Sequence, residues 1–166
     1  VSVLFYNKDL FEQAGLDPEA PPTSLAEFAE QAKAVDALGG GGDGTFFGGN
    51  CGGCLVFPWF PSIWAADEDV LGDGGAESLL ASDTAQDVYA VYKDLVDSDA
   101  VGAGTRDETG ATWVAPFQEG KVGVMPYPAT LLSTADETVD VGVAPIPGPD
   151  GGGSTFVGGD AIGISK

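Results

Sequence analysis

The chain has 166 residues, 43% hydrophobic and 19% charged, which supplies apolar material for one compact core and little room for a second. Six basic residues stand against 26 acidic ones, a net charge of −20, which excludes the lysine- and arginine-rich footprint that holds nucleic acid or an anionic membrane surface. Histidine is absent, so no serine–histidine or cysteine–histidine nucleophile, imidazole metal site or histidine base can be assembled, while carboxylate chemistry stays open.

Val1 to Tyr6 reads as a β-strand already in progress, without the basic start of a signal peptide, and no apolar run approaches the roughly 20 residues that cross a bilayer. Asn7 is placed to cap a short helix through Leu10, Phe11 and Ala14, with Gly15 at its left-handed end. Ser24 and Glu27 form a capping box, and Leu25, Phe28, Ala29, Ala32 and Val35 follow at helical spacing, predicting a helix of about 15 residues that stops at Gly39 to Gly42. A further helix is predicted from Ser82 to Asp97, with Ala85, Val88, Tyr89, Tyr92, Leu95 and Val96 on one face. A weaker one holds Trp113, Val114 and Phe117 and ends at Gly120. Lys121 to Met125 and Val139 to Ala144 have the period of strands, whereas Pro145 to Gly153 reads as a loop that cannot pair in a sheet. Alternating strands and helices predict an α/β layer architecture. The final stretch, Ala161 to Lys166, is again strand-like, so both ends suggest a segment of a longer polypeptide.

Three chemistries compete at Cys51-Gly52-Gly53-Cys54. A redox pair would be expected at a helix start close after a strand, and a zinc site needs two further ligands that neither cysteine nor histidine supplies. A structural disulfide is the preferred reading, and it implies an oxidising, extracytoplasmic location. The segment that follows, Phe57-Pro58-Trp59-Phe60-Pro61-Ser62-Ile63-Trp64, concentrates aromatic rings between prolines that should prevent regular secondary structure. Its rings serve either as core anchors or as a stacking platform. Trp64 is expected in the core, Trp59 equally in either place, and Trp113 in the core beside Phe117. Tyr127, between Pro126 and Pro128 where a strand gives way to a loop, is as well placed to line a cleft as to pack. Asp67-Glu68-Asp69 with Asp73 lacks the ligand spacing of a calcium loop and reads as a solvated acidic loop. No pair of carboxylates stands out as a glycosidase dyad.

Several segments, in order, resemble the extracellular solute-binding proteins of bacterial ABC importers, in the carbohydrate-binding group that includes maltose-binding protein. They are Leu4 to Leu16, Pro21 to Ser24, Phe60 to Ala66, Phe117 with Gly120 to Met125, Val143 to Pro149, and Phe156-Val157-Gly158-Gly159-Asp160. The resemblance covers nearly the whole chain. It implies a type II periplasmic-binding-protein fold with a mixed sheet flanked by helices. Residues 1–166 would form a single lobe, the second of two, with the first lobe and the C-terminal helices outside the chain.

A pyranose offers an apolar C–H face to an aromatic ring and a fringe of hydroxyls to planar polar groups. Phe57, Trp59 and Tyr127 are the candidates for stacking. The resemblance implies that Gly158 and Gly159 admit the ligand close to the backbone and that Asp160 accepts its hydroxyls. The expected role is non-catalytic: the substrate-binding component of an ABC importer, a monomer that binds a sugar between two lobes and passes it to the membrane permease. No cofactor, metal or nucleic acid is called for. The expected location is periplasmic or cell-surface, with a lipid anchor compatible with the longer protein. Two rivals are an extracellular carboxylate-dependent carbohydrate hydrolase and a thiol–disulfide protein using Cys51 and Cys54.

Overall fold

The computed structural model describes residues 1–134, 139–159 and 163. Strand β1 (Ser2–Asn7) runs directly into helix α1 (Lys8–Gln13), where Asn7 Oδ1 accepts from the Leu10 amide at 3.1 Å and Gly15 takes φ +74° just past the end. Helix α2 (Leu25–Asp36) starts at Ser24, whose hydroxyl accepts from the Glu27 amide, while the Glu27 carboxylate accepts from both the amide and the hydroxyl of Thr23. The five apolar residues that set its period, Leu25, Phe28, Ala29, Ala32 and Val35, are all buried.

The proline-rich aromatic segment departs from its sequence reading. It is helix α3 (Val56–Trp64), not a loop. Pro58 lies in the first turn, where a backbone amide has no intrahelical partner to lose. Pro61 does remove a helical hydrogen bond, but Pro61, Ser62 and Ile63 are buried, so packing outweighs the local cost. A two-stranded ribbon, β2 (Leu71–Gly72) and β3 (Glu77–Ser78), leads to α4 (Asp83–Asp97), capped by Ser82 and burying Ala85, Val88, Tyr92 and Leu95. The helix predicted to hold Trp113, Val114 and Phe117 shrinks to a single turn, α5 (Ala115–Gln118), which leaves Trp113 and Val114 before its start, and Gly120 at φ +73° follows its end. Strand β4 (Val124–Pro128) begins later than its apolar period suggested and carries Pro126 and Pro128, which an edge strand tolerates.

After β5 (Val141–Ala144), the segment read as unable to pair forms a hairpin of β6 (Ile146–Gly148) and β7 (Gly151–Ser154). Pairing occurs at Ile146 with Ser154 and at Gly148 with Gly151, with the register shifting between them, so the missing amide of Pro147 falls at the irregularity.

The main sheet has the order β4-β1-β5, with β1 antiparallel to both neighbours; Phe5 lies opposite Met125 on one side and Val143 on the other. Parallel pairing occurs at two isolated bridges outside the named strands, Asp43 with Val122 and Thr45 with Val101. Helix α2 packs against α4 and β4, and α3 packs against α4, β4 and the β6–β7 hairpin. Phe5, Phe11, Phe28 and Phe117 are fully buried, with Phe5 and Phe117 edge to face at 6.0 Å. At Gly142 a Cβ would fall 2.0 Å from the Tyr6 ring, so only glycine lets that ring lie across β5.

Four lysines, Lys8, Lys33, Lys93 and Lys121, pair with Glu19, Asp94, Asp97 and Glu119 at the surface. With six basic residues in all, most of the 26 carboxylates have no protein cation to balance them. Mobile counterions must do so. Raising KCl from 0.1 M to 2 M is therefore expected to increase the thermal midpoint by several degrees, read by circular dichroism. A midpoint that falls or stays constant would refute self-repulsion as a destabilising force here.

Candidate functional site

A cleft of about 730 Å³ opens where the first turn of α3, the end of β4, the start of β1 and the segment after β7 converge. Its walls include Ser2, Phe57, Thr130, Phe156, Gly158 and Gly159, and its size suits a small organic ligand. Backbone bonds stitch these elements together. The Ala129 amide donates to the Val1 carbonyl at 2.8 Å, and the Ser2 amide donates to the Phe156 carbonyl at 3.0 Å. Thr155 Oγ1 donates to the Ser2 carbonyl at 2.6 Å, fixing the segment that carries Phe156.

Phe57 meets Phe156 edge to face, 4.9 Å between centroids and 83° between planes. Phe156 in turn lies nearly parallel to Trp64 at 6.3 Å. Trp64 is thus half-buried, and its indole N–H donates to Asp69 Oδ1 at 3.3 Å. The carboxyl of Asp69 is held below its ordinary pKa by the amide of Val70 and by that indole. Ser2 Oγ, buried at the cleft wall, has no hydrogen-bond partner among the described residues. Thr130, on the same cleft, is exposed.

The sequence-predicted site residues divide among several places. Phe57, Gly158 and Gly159 come together in the cleft. Asp160 lies outside the described residues. Gly158 makes room for the Phe156 ring, since a Cβ there would lie 2.5 Å from it, while Gly159 faces open space. Trp59 points elsewhere, packing 5.2 Å from Tyr89 and 5.3 Å from Tyr92 in a separate hollow of about 350 Å³. Burial there pushes the phenols of Tyr89 and Tyr92 to raised pKa values. Tyr127 packs edge to face against buried Trp113 at 4.9 Å and reaches the cleft only through its neighbour Pro128. Phe156, Ser2 and Thr130 do not stand out in the sequence as site residues. An aromatic residue two positions before a glycine pair is the available signal for Phe156.

Behind the cleft, Cys51 and Cys54 are joined as a disulfide, with Cα atoms 5.2 Å apart. The buried Glu108 carboxylate accepts from the amides of Gly110 at 2.6 Å and Thr112 at 3.1 Å, and from the Thr112 hydroxyl. Burial alone would raise this carboxyl, but the bonds from Thr112, Gly110 and Ala111 outweigh it and hold its pKa low. A depressed folded pKa stabilises the fold above the unfolded glutamate value, about 4.3, and that contribution disappears as pH falls through the folded value. The thermal midpoint of E108Q should therefore lie below that of the unsubstituted protein at pH 7, with the gap shrinking below about pH 4. A gap constant from pH 7 to pH 3 would refute the assignment. Among the described residues no cluster of three or more cysteine, aspartate or glutamate side chains is arranged to hold a metal ion.

The profile of the family described as bacterial extracellular solute-binding protein matches residues 1–166. A Brucella abortus (strain 2308) chain, named as a binding protein without a stated ligand, is 29% identical over 157 residues, which is 92% of this chain and 37% of that one. The sn-glycerol-3-phosphate-binding periplasmic protein UgpB of Escherichia coli (strain K12) is 51% identical over 37 residues, 22% of this chain and 8% of that protein. Among solved structures, the cyclic alpha-maltosyl-1,6-maltose binding protein of Arthrobacter globiformis superposes with a TM-score of 0.71 at 26% identity, covering 92% of this chain and 38% of that one. An Arthrobacter chlorophenolicus sugar transporter with bound laminaribiose shares the fold, with a TM-score of 0.72 at 23% identity and the same coverage. The chain thus spans well under half the length of the Brucella relative and of both solved structures. It belongs to the bacterial extracellular solute-binding protein family.

Proposed function

We propose that residues 1–166 form one lobe of an importer receptor for sugars or oligosaccharides, with the ligand held between the Phe57 cleft and a second lobe. The observation that carries this reading is an aromatic wall, Phe57 against Phe156, in one cleft with the exposed Thr130 and the backbone of Gly158 and Gly159. An apolar ring face and nearby hydroxyl partners are what a pyranose requires. The sugar ligands of the Arthrobacter proteins support the same class. In this reading Gly159 admits the ligand to the backbone, Asp160 accepts its hydroxyls, and Trp59 and Tyr127 brace the lobe from behind. The receptor acts outside the cytoplasm as a monomer, catalyses no reaction, and delivers its ligand to an ABC permease.

A ligand that touches two lobes favours the closed arrangement by the sum of both sets of contacts. Isothermal titration with a panel of maltose-, laminarin- and raffinose-type oligosaccharides tests this on the longer receptor and on the 166-residue chain. The receptor should bind at least one panel member, and the chain alone should bind it about 100-fold more weakly or not at all. Equal affinity for the two proteins would overturn the two-lobe account, and a receptor that binds none of the panel would overturn the ligand class.

A further inference from the structure

We propose that the Cys51–Cys54 disulfide is a positioning device for Phe57, acting as the N-terminal cap that helix α3 otherwise lacks. Side chains of Asn7, Ser24 and Ser82 cap α1, α2 and α4, but no side chain caps α3. One of its first amides, that of Phe57, bonds to the stapled turn instead. Cys54 N–H donates to the Cys51 carbonyl at 3.0 Å, Phe57 N–H donates to the Cys54 carbonyl at 3.1 Å, and Trp59 N–H donates to the Leu55 carbonyl at 3.1 Å. The stapled turn contains Gly52 and Gly53, both exposed, and two adjacent glycines give an open turn the largest backbone freedom. Closing the ring removes that freedom at the point where the helix must begin.

The disulfide is also seated. It lies between Gly48 and Gly110: a Cβ on Gly110 would stand 2.9 Å from Cys54 Sγ and 3.3 Å from Cys51 Sγ, and one on Gly48 would meet both cysteine Cβ atoms at 3.2 and 3.3 Å. The Gly49 amide donates to the Thr105 carbonyl and the Asn50 amide to the Glu108 carbonyl, each at 2.9 Å. Gly110 belongs to the turn that Glu108 holds through its carboxylate. The path from Glu108 to the cleft is therefore a continuous set of close contacts: the held turn, the disulfide on its glycine seat, the first turn of α3, and the Phe57 ring against Phe156. So short a covalent loop adds little to global stability. Its effect is local, at the ring that forms the cleft wall. The consequence for binding rests on the sugar reading above, whereas the positioning itself does not.

Hydrogen exchange on the 166-residue chain tests the positioning without any ligand. In C51S/C54S the Phe57 and Trp59 amides should exchange about 10-fold faster, while those of Val88 to Leu95 in α4 keep their rates. The G110A variant, which both crowds the seat and strains a backbone held at φ +96° while leaving the disulfide intact, should show the same local pattern. Unchanged exchange at Phe57 and Trp59 in C51S/C54S, or acceleration spread evenly over α4, would overturn the proposal. On the longer receptor, reduction by a dithiol should weaken oligosaccharide binding about 5-fold and reoxidation should restore it. Accelerated exchange with unchanged affinity would overturn the link to binding. A receptor that binds no panel sugar refutes the ligand reading alone, and the exchange rates still decide the positioning role.

Discussion

Replacing Phe57 by alanine should weaken oligosaccharide binding to the longer receptor by about 30-fold, or ~2 kcal/mol. The size follows from two losses. Removing the ring gives up roughly 50 Å² of apolar contact with a sugar face, ~1.2 kcal/mol at 25 cal/mol per Å². It also leaves Phe156 without its edge-to-face partner, so that fixing the Phe156 ring on binding costs a further ~0.5–1.5 kcal/mol. The matching control is Trp59→Phe, which changes a ring packed on Tyr89 and Tyr92 in a separate hollow. Its affinity should stay within about 2-fold of the parent, because a ring outside the cleft contributes only through packing. Isothermal titration of both variants, with circular dichroism to establish that each is folded, separates the alternatives. If Trp59→Phe weakens binding more than Phe57→Ala, the cleft has been placed on the wrong side of α3.

Phe5→Ala should destabilise the lobe by about 4 kcal/mol, the cost of removing a fully buried ring and leaving a cavity behind. Phe5 sits on the central strand, opposite Met125 and Val143 and edge-on to Phe117, so no single neighbour can swing in to fill the space. At 2–4 °C per kcal/mol for a domain of this size, the thermal midpoint should fall by roughly 8–16 °C. Val143→Ala, on the exposed side of the edge strand, should cost less than about 1 kcal/mol. Urea titrations with an unchanged slope would show that the loss lies in stability and not in the compactness of either state. A Phe5→Ala protein that melts within about 3 °C of the parent would contradict the assignment of β1 to the centre of the core.

Where local chemistry and tertiary packing agree, the sequence is readable. Asn7, Ser24 and Ser82 announce helices by their capping oxygens; all five predicted apolar residues of α2 are buried, as are Phe11 in α1 and Ala85, Val88, Tyr92 and Leu95 in α4, while Leu10, Ala14, Tyr89 and Val96 are half-buried. Helix α3 is hidden because a proline breaks or permits a helix according to its position in the turn, which residue type does not reveal; Pro58 falls where its missing amide costs nothing. The β6–β7 hairpin escapes for a related reason, since only Ile146 and Gly148 need to pair and Pro147 lies between them. At the site, residue type alone selects Phe57 but cannot separate it from Trp59. Two positions along a strand they would share a face, whereas along a helix they lie about 200° apart and project in nearly opposite directions. Ser2 carries no signal, because its interest comes entirely from the company it keeps at the start of β1.

The central position of β1 also governs when this lobe can acquire its shape. Of the three strands in the main sheet it is the first to leave the ribosome, yet both of its neighbours, β4 and β5, are encoded in the last third of the chain. Its donors and acceptors wait for partners until residues 124–144 have been made, and formation of the sheet depends on long-range pairing, which is slow. A lobe whose middle strand gains its neighbours late stays open to wrong partners for longer than one built from adjacent hairpins.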